Sequence, residues 1–268
     1  MAKDFLEKFE SISEFQRAIS TRKVHEFYKD IFASANGKSS FTKTESYEEA
    51  ENLLSHGDKD TAAKLIGCNE NGKRMNEAKK SAIYNSPIGF VPNIPNYLSG
   101  RPDNMFAVKA QTYKSCKVLN VCVNASTCCK TDSNDILSFN QKLLNVVYTL
   151  EKRGYRLNLY VGDIAYYDKS DNMGACFVKV KDAGKLLNVT NVAYPLSNPS
   201  FARRHLFRWA ETNGETFARG YGVVASDKKN KDVIRRLFPN VKNISLLSTE
   251  SMLYYSESEI MNVILNDK

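Results

Sequence analysis

The segment 117–162 constrains the fold more than any other part of the chain, because it predicts a complete strand–loop–helix–strand unit. The nearly unbroken apolar run at 118–123 is typical of a strand that is covered on both faces. From 134 to 153 apolar residues recur at helical spacing, and Gly154 follows at a helix C-cap position. Alternation from 155 to 161 predicts a second strand with one wetter face. We therefore expect two parallel neighbouring strands joined by a right-handed crossover.

The C-terminal half of the chain continues this alternation of strands and helices. A short strand at 175–180 follows the unit directly and is expected to form an antiparallel edge. The further elements are predicted at 186–193 (helix), 199–212 (helix with Asn198 as its N-cap and Pro199 as its first residue), 221–225 (strand), 232–238 (helix), 244–247 (strand) and 258–265 (helix). Such alternation predicts the α/β class with an open, doubly wound and mostly parallel sheet.

An accessory N-terminal region precedes the predicted α/β domain. Residues 1–33 have apolar side chains at helical spacing, which predicts an amphipathic helix that packs on the protein or docks onto a partner. Ser46 and Glu49 form a capping box for a helix at 47–55, and four of the seven prolines fall within 86–102. The predicted divisions are 1–45 (helix and linker), 46–105 (accessory helices and proline-rich strap) and 106–268 (α/β domain).

Composition narrows the classes of partner. No apolar run approaches the roughly 20 residues of a membrane span, so no membrane partner is expected, and the N-terminus lacks the apolar core of a signal peptide. None of the six cysteines forms a C-x-x-C pair, which favours reduced thiols and a cytoplasmic location. The region 201–242 holds ten basic and four acidic residues, hence six of the eight net positive charges. This excess favours an anionic partner such as nucleic acid.

Polar residues follow the predicted strands, at the edge where open α/β sheets bind ligands. Asn124, Ser126 and Thr127 follow the first strand, Asp163 follows the second, and Asp227 follows the strand at 221–225. If the strands are parallel neighbours, with Val123 next to Ala225, these side chains meet at one rim. The sequence therefore predicts a binding face there.

The order of these residues resembles von Willebrand factor A-like domains, in which a D-x-S-x-S loop follows the first strand and a later strand ends in Asp. The resemblance implies a von Willebrand A-like or Rossmann-like sheet and a divalent cation that a partner's carboxylate completes. Here Asn124 replaces the first Asp and Cys128 the second Ser, while Ser126 matches the first Ser. A neutral amide and a thiol are poor ligands for Mg²⁺. We therefore expect a protein-binding module with a lost or weakened metal site and no other cofactor, with Mg²⁺ at Ser126 and Asp227 as the alternative.

The chain is also similar to a group of uncharacterised proteins encoded by bacteriophages and related mobile elements. The similarity covers about 46–225 and is carried by the strings at 46–51, 92–95, 123–126, 194–201 and 203–209. It implies a protein that acts in the host cytoplasm or is associated with the virion. It implies no particular activity and leaves the protein partner unidentified.

Nucleic-acid binding is the alternative function. Clustered arginines beside an aromatic ring suit phosphate contact and base stacking. The candidate residues are Arg203, Arg204, Phe207, Arg208, Arg235 and Arg236. The simpler interpretation of the same helix is a solvated face whose arginines pair with acids such as Glu211.

Enzymatic signals are few, and whether the chain is an enzyme stays open. The sequence has no G-x-G-x-x-G, Walker, H-E-x-x-H or G-x-S-x-G motif. Ser126, His205 and Asp227 could form a hydrolytic triad, so an uncharacterised hydrolase is the third hypothesis. None of the three histidines has a second at ligand spacing, which argues against a histidine metal site.

Overall fold

The computed structural model describes residues 4–24, 34, 42–67, 83–108, 117–127, 131–167, 172–213, 223–224 and 227–266. The chain divides into two compact units, one formed by 1–68 with 117–268 and the other by 69–116. The strands are β1 (Phe5–Phe9), β2 (Ile83–Ser86), β3 (Val91–Pro92), β4 (Met105–Val108), β5 (Val118–Asn124), β6 (Arg156–Tyr167), β7 (Asn172–Lys181), β8 (Val223–Val224) and β9 (Ile244–Ser248). The helices are α1 (Ile12–Thr21), α2 (Tyr47–His56), α3 (Lys59–Gly67), α4 (Ile94–Leu98), α5 (Ser133–Lys152), α6 (Val189–Ser197), a π-helix (Phe201–Leu206), α7 (Phe207–Thr212), α8 (Asp227–Leu237), α9 (Thr249–Met252) and α10 (Glu257–Asn266).

The larger unit is built on a mixed sheet in the order β1-β7-β6-β5-β9, with β8 paired to β6. The pairs β5–β6, β5–β9 and β1–β7 are parallel, whereas β6–β7 and β6–β8 are antiparallel. The predicted parallel unit is confirmed, because β5 and β6 run side by side from Val118 opposite Arg156 to Asn124 opposite Gly162. The protein is therefore a mixed α/β protein with mostly parallel strand pairings.

Helices cover both faces of this sheet. On one face, Val121 and Val123 of β5 belong to the same buried cluster as Phe139 and Leu143 of α5. On the other face, Cys122 of β5 belongs to a second cluster with residues of α8. The apolar run that predicted a strand covered on both faces is confirmed, since successive side chains of a strand point to opposite faces. We call these the α5 face and the α8 face.

The N-terminal segment differs from the predicted long helix. Phe5–Phe9 is strand β1, which pairs with β7, so β7 is an inner strand rather than the predicted edge. Helix α1 begins only after Ser11, whose hydroxyl accepts a hydrogen bond from the Glu14 N–H. Phe5 and Phe9 are four residues apart, and that spacing fits one face of a helix and one face of a strand equally well. The remainder of the prediction, at 25–33, lies outside the described residues.

The expected strand at 221–225 is not a parallel neighbour of Val123. Within the described residues, Val223 and Val224 pair antiparallel with Tyr166 and Ala165 of β6. The neighbour of Val123 on its other side is Leu247 of β9. Strand β6 continues to Tyr167, well beyond the end of β5, and so offers a free edge for β8. A short apolar run predicts a strand but specifies neither its partner nor its direction.

Three helix predictions have mixed outcomes. The Ser46 cap is confirmed, since the Ser46 hydroxyl accepts from the Glu49 N–H at 3.0 Å and α2 ends before Gly57. The Glu49 carboxylate accepts from the Glu45 N–H at 2.7 Å, one residue before the position that a capping box requires. The helix expected to stop before Pro195 instead contains that residue. The helix expected after Asn198 is confirmed, but its first six residues are π-helical.

The smaller unit contains an antiparallel sheet in the order β2-β4-β3. The Asn93 side chain accepts from the Asn96 N–H and begins the short helix α4, which has Pro95 in its first turn. The strap that was predicted to be irregular therefore contains β3 and α4. The smaller unit comprises 69–116, whereas the accessory region predicted from the sequence comprises 46–105. None of the described helices is long and apolar enough to cross a membrane.

Candidate functional site

The carboxyl ends of the parallel strands β5 and β9 lie at one edge of the sheet, and the neighbouring strand β6 continues past this edge to Tyr167. Asn124, the last residue of β5, pairs with Gly162 of β6 and with Ser248, the last residue of β9. We define the strand-end face as Asn124, Ser126, Thr127 and Asp163. Asn124, Ser126 and Thr127 lie at the end of β5, whereas Asp163, which was predicted to follow the second strand, lies inside β6 opposite Cys176 of β7.

Asn124 is fully buried and organises the loop that follows β5. Its Oδ1 accepts a hydrogen bond from the Ser126 N–H at 3.1 Å, the arrangement of an Asx-turn. Its Nδ2 is also buried and has no hydrogen-bond partner within the described residues. Ser126 and Thr127 are half-buried beside it. The loop therefore holds an amide donor that no other described residue satisfies.

Asp163 carries the second unsatisfied polar atom of this edge. Its Oδ1 is buried and accepts no hydrogen bond from any part of the chain that the structure describes. Burial raises the pKa of the Asp163 carboxyl to about 7, against the lowering effects of the Ile164 N–H and of the Arg203 charge. At neutral pH this carboxyl therefore interconverts between its neutral and its charged form.

The side chains of Asn124 and Asp163 point to opposite faces of the sheet. Asp163 shares its side with Val161, which belongs to the α5 face, because alternate residues of a strand point the same way. Asn124 by the same rule shares its side with Cys122, which belongs to the α8 face. Asn124 and Asp163 therefore do not share one face, and the strand at 221–225, predicted to lie beside Val123, pairs with β6 instead.

Asp227 is the fifth residue of the predicted binding face. It is the first residue of α8, and its backbone follows β8 by way of 225–226, which lie outside the described residues. The side chains of Asp227 and Cys128 also lie outside them. Within the part of the chain that the structure describes, no group of three or more His, Cys, Asp or Glu side chains is arranged to hold a metal ion.

A row of ionisable side chains crosses the sheet next to Asp163. Cys176 of β7 pairs with Asp163 on one side and with Glu7 of β1 on the other. The Glu7 carboxylate accepts two hydrogen bonds from the Arg22 guanidinium, at 2.7 and 2.9 Å, and one from the Trp209 indole at 2.7 Å. Sequence reasoning missed this set, since its members are far apart in the chain and only the single tryptophan stands out.

The cysteines that the structure describes in detail agree with the expectation of reduced thiols. Cys122 and Cys176 are free and buried. Burial raises the pKa of both thiols above the ordinary value, which keeps them protonated. The other four cysteines lie outside the described residues.

Arg204 is buried, which corrects the prediction that it lies on an exposed basic face. It is 0% exposed, and its guanidinium donates to the Ser34 carbonyl at 2.8 Å and to the Thr44 carbonyl at 3.0 Å. The π-helix turns this side chain inward, whereas α-helical spacing had placed it outside. Arg204 therefore ties two N-terminal segments to the π-helix instead of contacting solvent.

The other predicted nucleic-acid residues lie nearer the surface. The Arg203 guanidinium lies 5.3 Å from the centre of the Phe207 ring, and Arg208 lies 3.8 Å from the Glu211 carboxylate. In α8, the Arg235 side chain is 76% exposed near Asp232. Arg236, in the same helix, pairs with Asp4. The pairing of Arg208 with Glu211 agrees with the simpler interpretation of that helix.

His205 lies in a buried polar network rather than in a hydrolytic triad. Its Nδ1 lies 3.1 Å from the Tyr194 hydroxyl and its Nε2 lies 3.0 Å from the Glu51 carboxylate. The Tyr194 hydroxyl in turn donates to the Ser200 hydroxyl at 3.3 Å. Burial lowers the pKa of His205, partly offset by Glu51. Both ring nitrogens are therefore engaged, and neither is available to activate Ser126.

The fold and the strand-end face define a mixed α/β protein with a polar edge at the carboxyl ends of its parallel strands. The chain belongs to the DUF7192 family, a domain of unknown function whose model matches residues 2–253. No curated protein and no solved structure matches the chain significantly.

Proposed function

We propose that this DUF7192 protein is a protein-binding module that contacts its partner through the strand-end face. The proposal includes a degenerate von Willebrand A-like domain, a lost or weakened metal site, and an origin in a phage or mobile element. The protein would then act in the host cytoplasm or associate with the virion. The observation that carries the proposal is a pair of buried polar atoms that have no hydrogen-bond partner among the described residues, Nδ2 of Asn124 at the end of β5 and Oδ1 of Asp163 on the adjacent strand β6.

Unsatisfied buried groups are uncommon because each costs folding free energy. Leaving one hydrogen-bonding group buried without a partner costs about 1–3 kcal/mol, and most buried polar atoms of native proteins are paired. A partner that presents a hydrogen-bond acceptor to Asn124 would recover part of that cost on binding. The adjoining loop residues Ser126 and Thr127 are half-buried and supply the accessible part of the face.

The metal-free version of the site fits the described residues better than the cation version. The Asn124 Oδ1 is used by the Ser126 N–H, and the remaining Nδ2 is a donor that repels a cation. Titration calorimetry with Mg²⁺ and Mn²⁺ tests this choice. Heat at millimolar metal that disappears in Ser126→Ala would restore the cation version.

Capture of a partner tests the proposed face. We expect Ser126→Arg to abolish the capture of a cross-linked protein from cells that carry the parent phage or element, because a long charged side chain blocks the loop. Ser138→Arg, the same substitution on the exposed side of α5, is the matched control and should leave capture unchanged. Equal loss in both variants, or none in Ser126→Arg, contradicts the proposal.

Nucleic-acid binding stays as a second candidate because helix α8 is strongly basic. Its sequence holds five basic and two acidic residues, and Arg235 is 76% exposed. Such binding should weaken steeply as salt rises, since phosphate contacts release counterions. The decisive variant is Arg235→Glu with Arg236→Glu, because Arg204 is buried. Unchanged DNA and RNA affinity in this double variant would exclude α8 as the site.

A further inference from the structure

A groove lies along the outer edge of β9, on the side of this strand that faces away from β5. It encloses about 470 Å³ and is lined by Lys231 of α8, Leu246 and Ser248 of β9, Met252, and Asn262, Val263 and Asn266 of α10. Among the described residues, no strand pairs with this side of β9. The groove therefore follows an open sheet edge between a helix on each face.

The direction of the β9 backbone groups follows from one hydrogen bond. The Asn120 N–H donates to the Asn243 carbonyl at 2.9 Å, so the main-chain groups of Asn243 face β5. Along a strand, the N–H and C=O of successive residues alternate between its two sides. Ser245 and Leu247 therefore also face β5, whereas Ile244, Leu246 and Ser248 face away from it. Leu246 and Ser248 thus direct their N–H and C=O groups into the groove.

The side chains around these backbone groups are suited to a polypeptide. Asn262 and Asn266 offer both donors and acceptors on the α10 wall, and Val263 and Met252 offer apolar contacts. Among the described residues that line the groove, Lys231 alone is charged, and the helix that carries it is basic. The complementary ligand is therefore an extended, acidic polypeptide whose backbone groups can hydrogen-bond to β9.

We propose that the β9 groove binds an extended acidic segment of a partner protein, which adds a strand to the sheet beside Leu246. Main-chain hydrogen bonds supply affinity in this mode of recognition, while alternate side chains contact the walls and supply specificity. The five residues of β9 span about 17 Å. This site does not depend on the strand-end face.

Two proline variants distinguish a loss of strand addition at the groove from a loss of the protein's own fold. Leu246→Pro removes an N–H that faces the groove, and proline is tolerated in an edge strand where its nitrogen faces outward. Leu247→Pro removes an N–H that faces β5, so it should destabilise the sheet strongly. Thermal unfolding and circular dichroism should thus show a folded Leu246→Pro protein and a severely destabilised Leu247→Pro protein.

The binding test uses a phage-displayed library of random octapeptides selected on the full-length protein. We expect selected peptides to be acidic and β-branched at alternate positions. Their affinity should fall about fivefold in Leu246→Pro, because one main-chain hydrogen bond of about 1 kcal/mol is lost. N-methylation of alternate peptide residues should weaken binding similarly, and Lys231→Glu should weaken it most at low salt. In the wild type, binding should also slow hydrogen exchange at the Leu246 amide.

Several outcomes overturn the proposal. Failure to select any peptide, or selection only of peptides that bind wild type and Leu246→Pro equally, shows that the edge does not receive a strand. Insensitivity to N-methylation excludes main-chain pairing. Sedimentation that shows a dimer of wild type but not of Leu246→Pro would assign the groove to a second copy of the chain. Ser126→Arg should leave peptide affinity unchanged, so failure of this inference is distinct from failure of the strand-end proposal.

Discussion

Replacing Asp163 by asparagine should stabilise the protein at and above neutral pH and leave it unchanged in acid. The carboxyl has a pKa of about 7 in the folded protein and an ordinary value of 3.8, because burial disfavours its charged form. Between these two values the folded state holds a proton that the unfolded state has released. The free energy of unfolding therefore falls as pH rises from about 4 to 7 and is independent of this group above that range.

The size of the effect follows from the pKa difference. A shift of about 3 pKa units corresponds to about 4 kcal/mol, at 1.36 kcal/mol per unit. Asp163 as a whole residue keeps partial exposure to solvent, and the substitution also removes its attraction to Arg203. Both reduce the gain, so we expect Asp163→Asn to raise the free energy of unfolding by about 2–3 kcal/mol at pH 8.

Urea unfolding of both proteins at several pH values between 4 and 8 measures this difference. The matched control is Asp60→Asn in helix α3, an exposed carboxyl whose replacement should change stability by less than about 0.5 kcal/mol at every pH. A stability difference for Asp163→Asn that does not grow with pH would refute the argument. So would a variant less stable than the wild type at pH 8, since the carboxylate would then be satisfied in the folded protein.

Three further substitutions test the interior. Arg204→Met should lower the free energy of unfolding in urea by about 3 kcal/mol, because it leaves two buried carbonyls unpaired. The control, Arg17→Met on the exposed side of α1, should lower it by less than about 0.5 kcal/mol. Similar losses in both variants would contradict the burial of Arg204. Gly162→Ala should cost about 3 kcal/mol, because its Cβ would lie 1.9 Å from the Cys176 carbonyl oxygen, while Gly184→Ala, 3.0 Å from a side-chain oxygen, should be mild. Because the pKa of His205 is lowered in the folded state, the free energy of unfolding should fall as the pH drops below about 6.5. His205→Gln should make the free energy of unfolding less dependent on pH in this range. An unchanged pH dependence in the variant would refute the role of His205.

The sequence determined the elements whose periodicity is unambiguous. The apolar run of β5 and the helical repeat of α5 specify their own conformations, and a strand–helix–strand unit of that length can close only as a parallel pair. The Ser46 cap and strand β9 could also be predicted from the sequence, because a cap depends on a side chain that contacts nearby backbone and a strand on side chains that alternate along it. Asn124 as the polar end of β5 followed from the same pattern, whereas Asp163 was predicted to follow the second strand and lies inside β6, which continues to Tyr167.

Only the tertiary structure decided which strands are neighbours and which polar residues are buried. The segment around Phe5 and Phe9 fits two periodicities, and pairing with β7 selected the strand. Arg204 became an interior residue because the π-helix rotates it toward carbonyl groups some 160 residues away in the chain. Burial of Asp163 and the open edge of β9 depend equally on distant segments. Local patterns fix conformation, whereas desolvation and partner choice arise only when remote parts of the chain pack together.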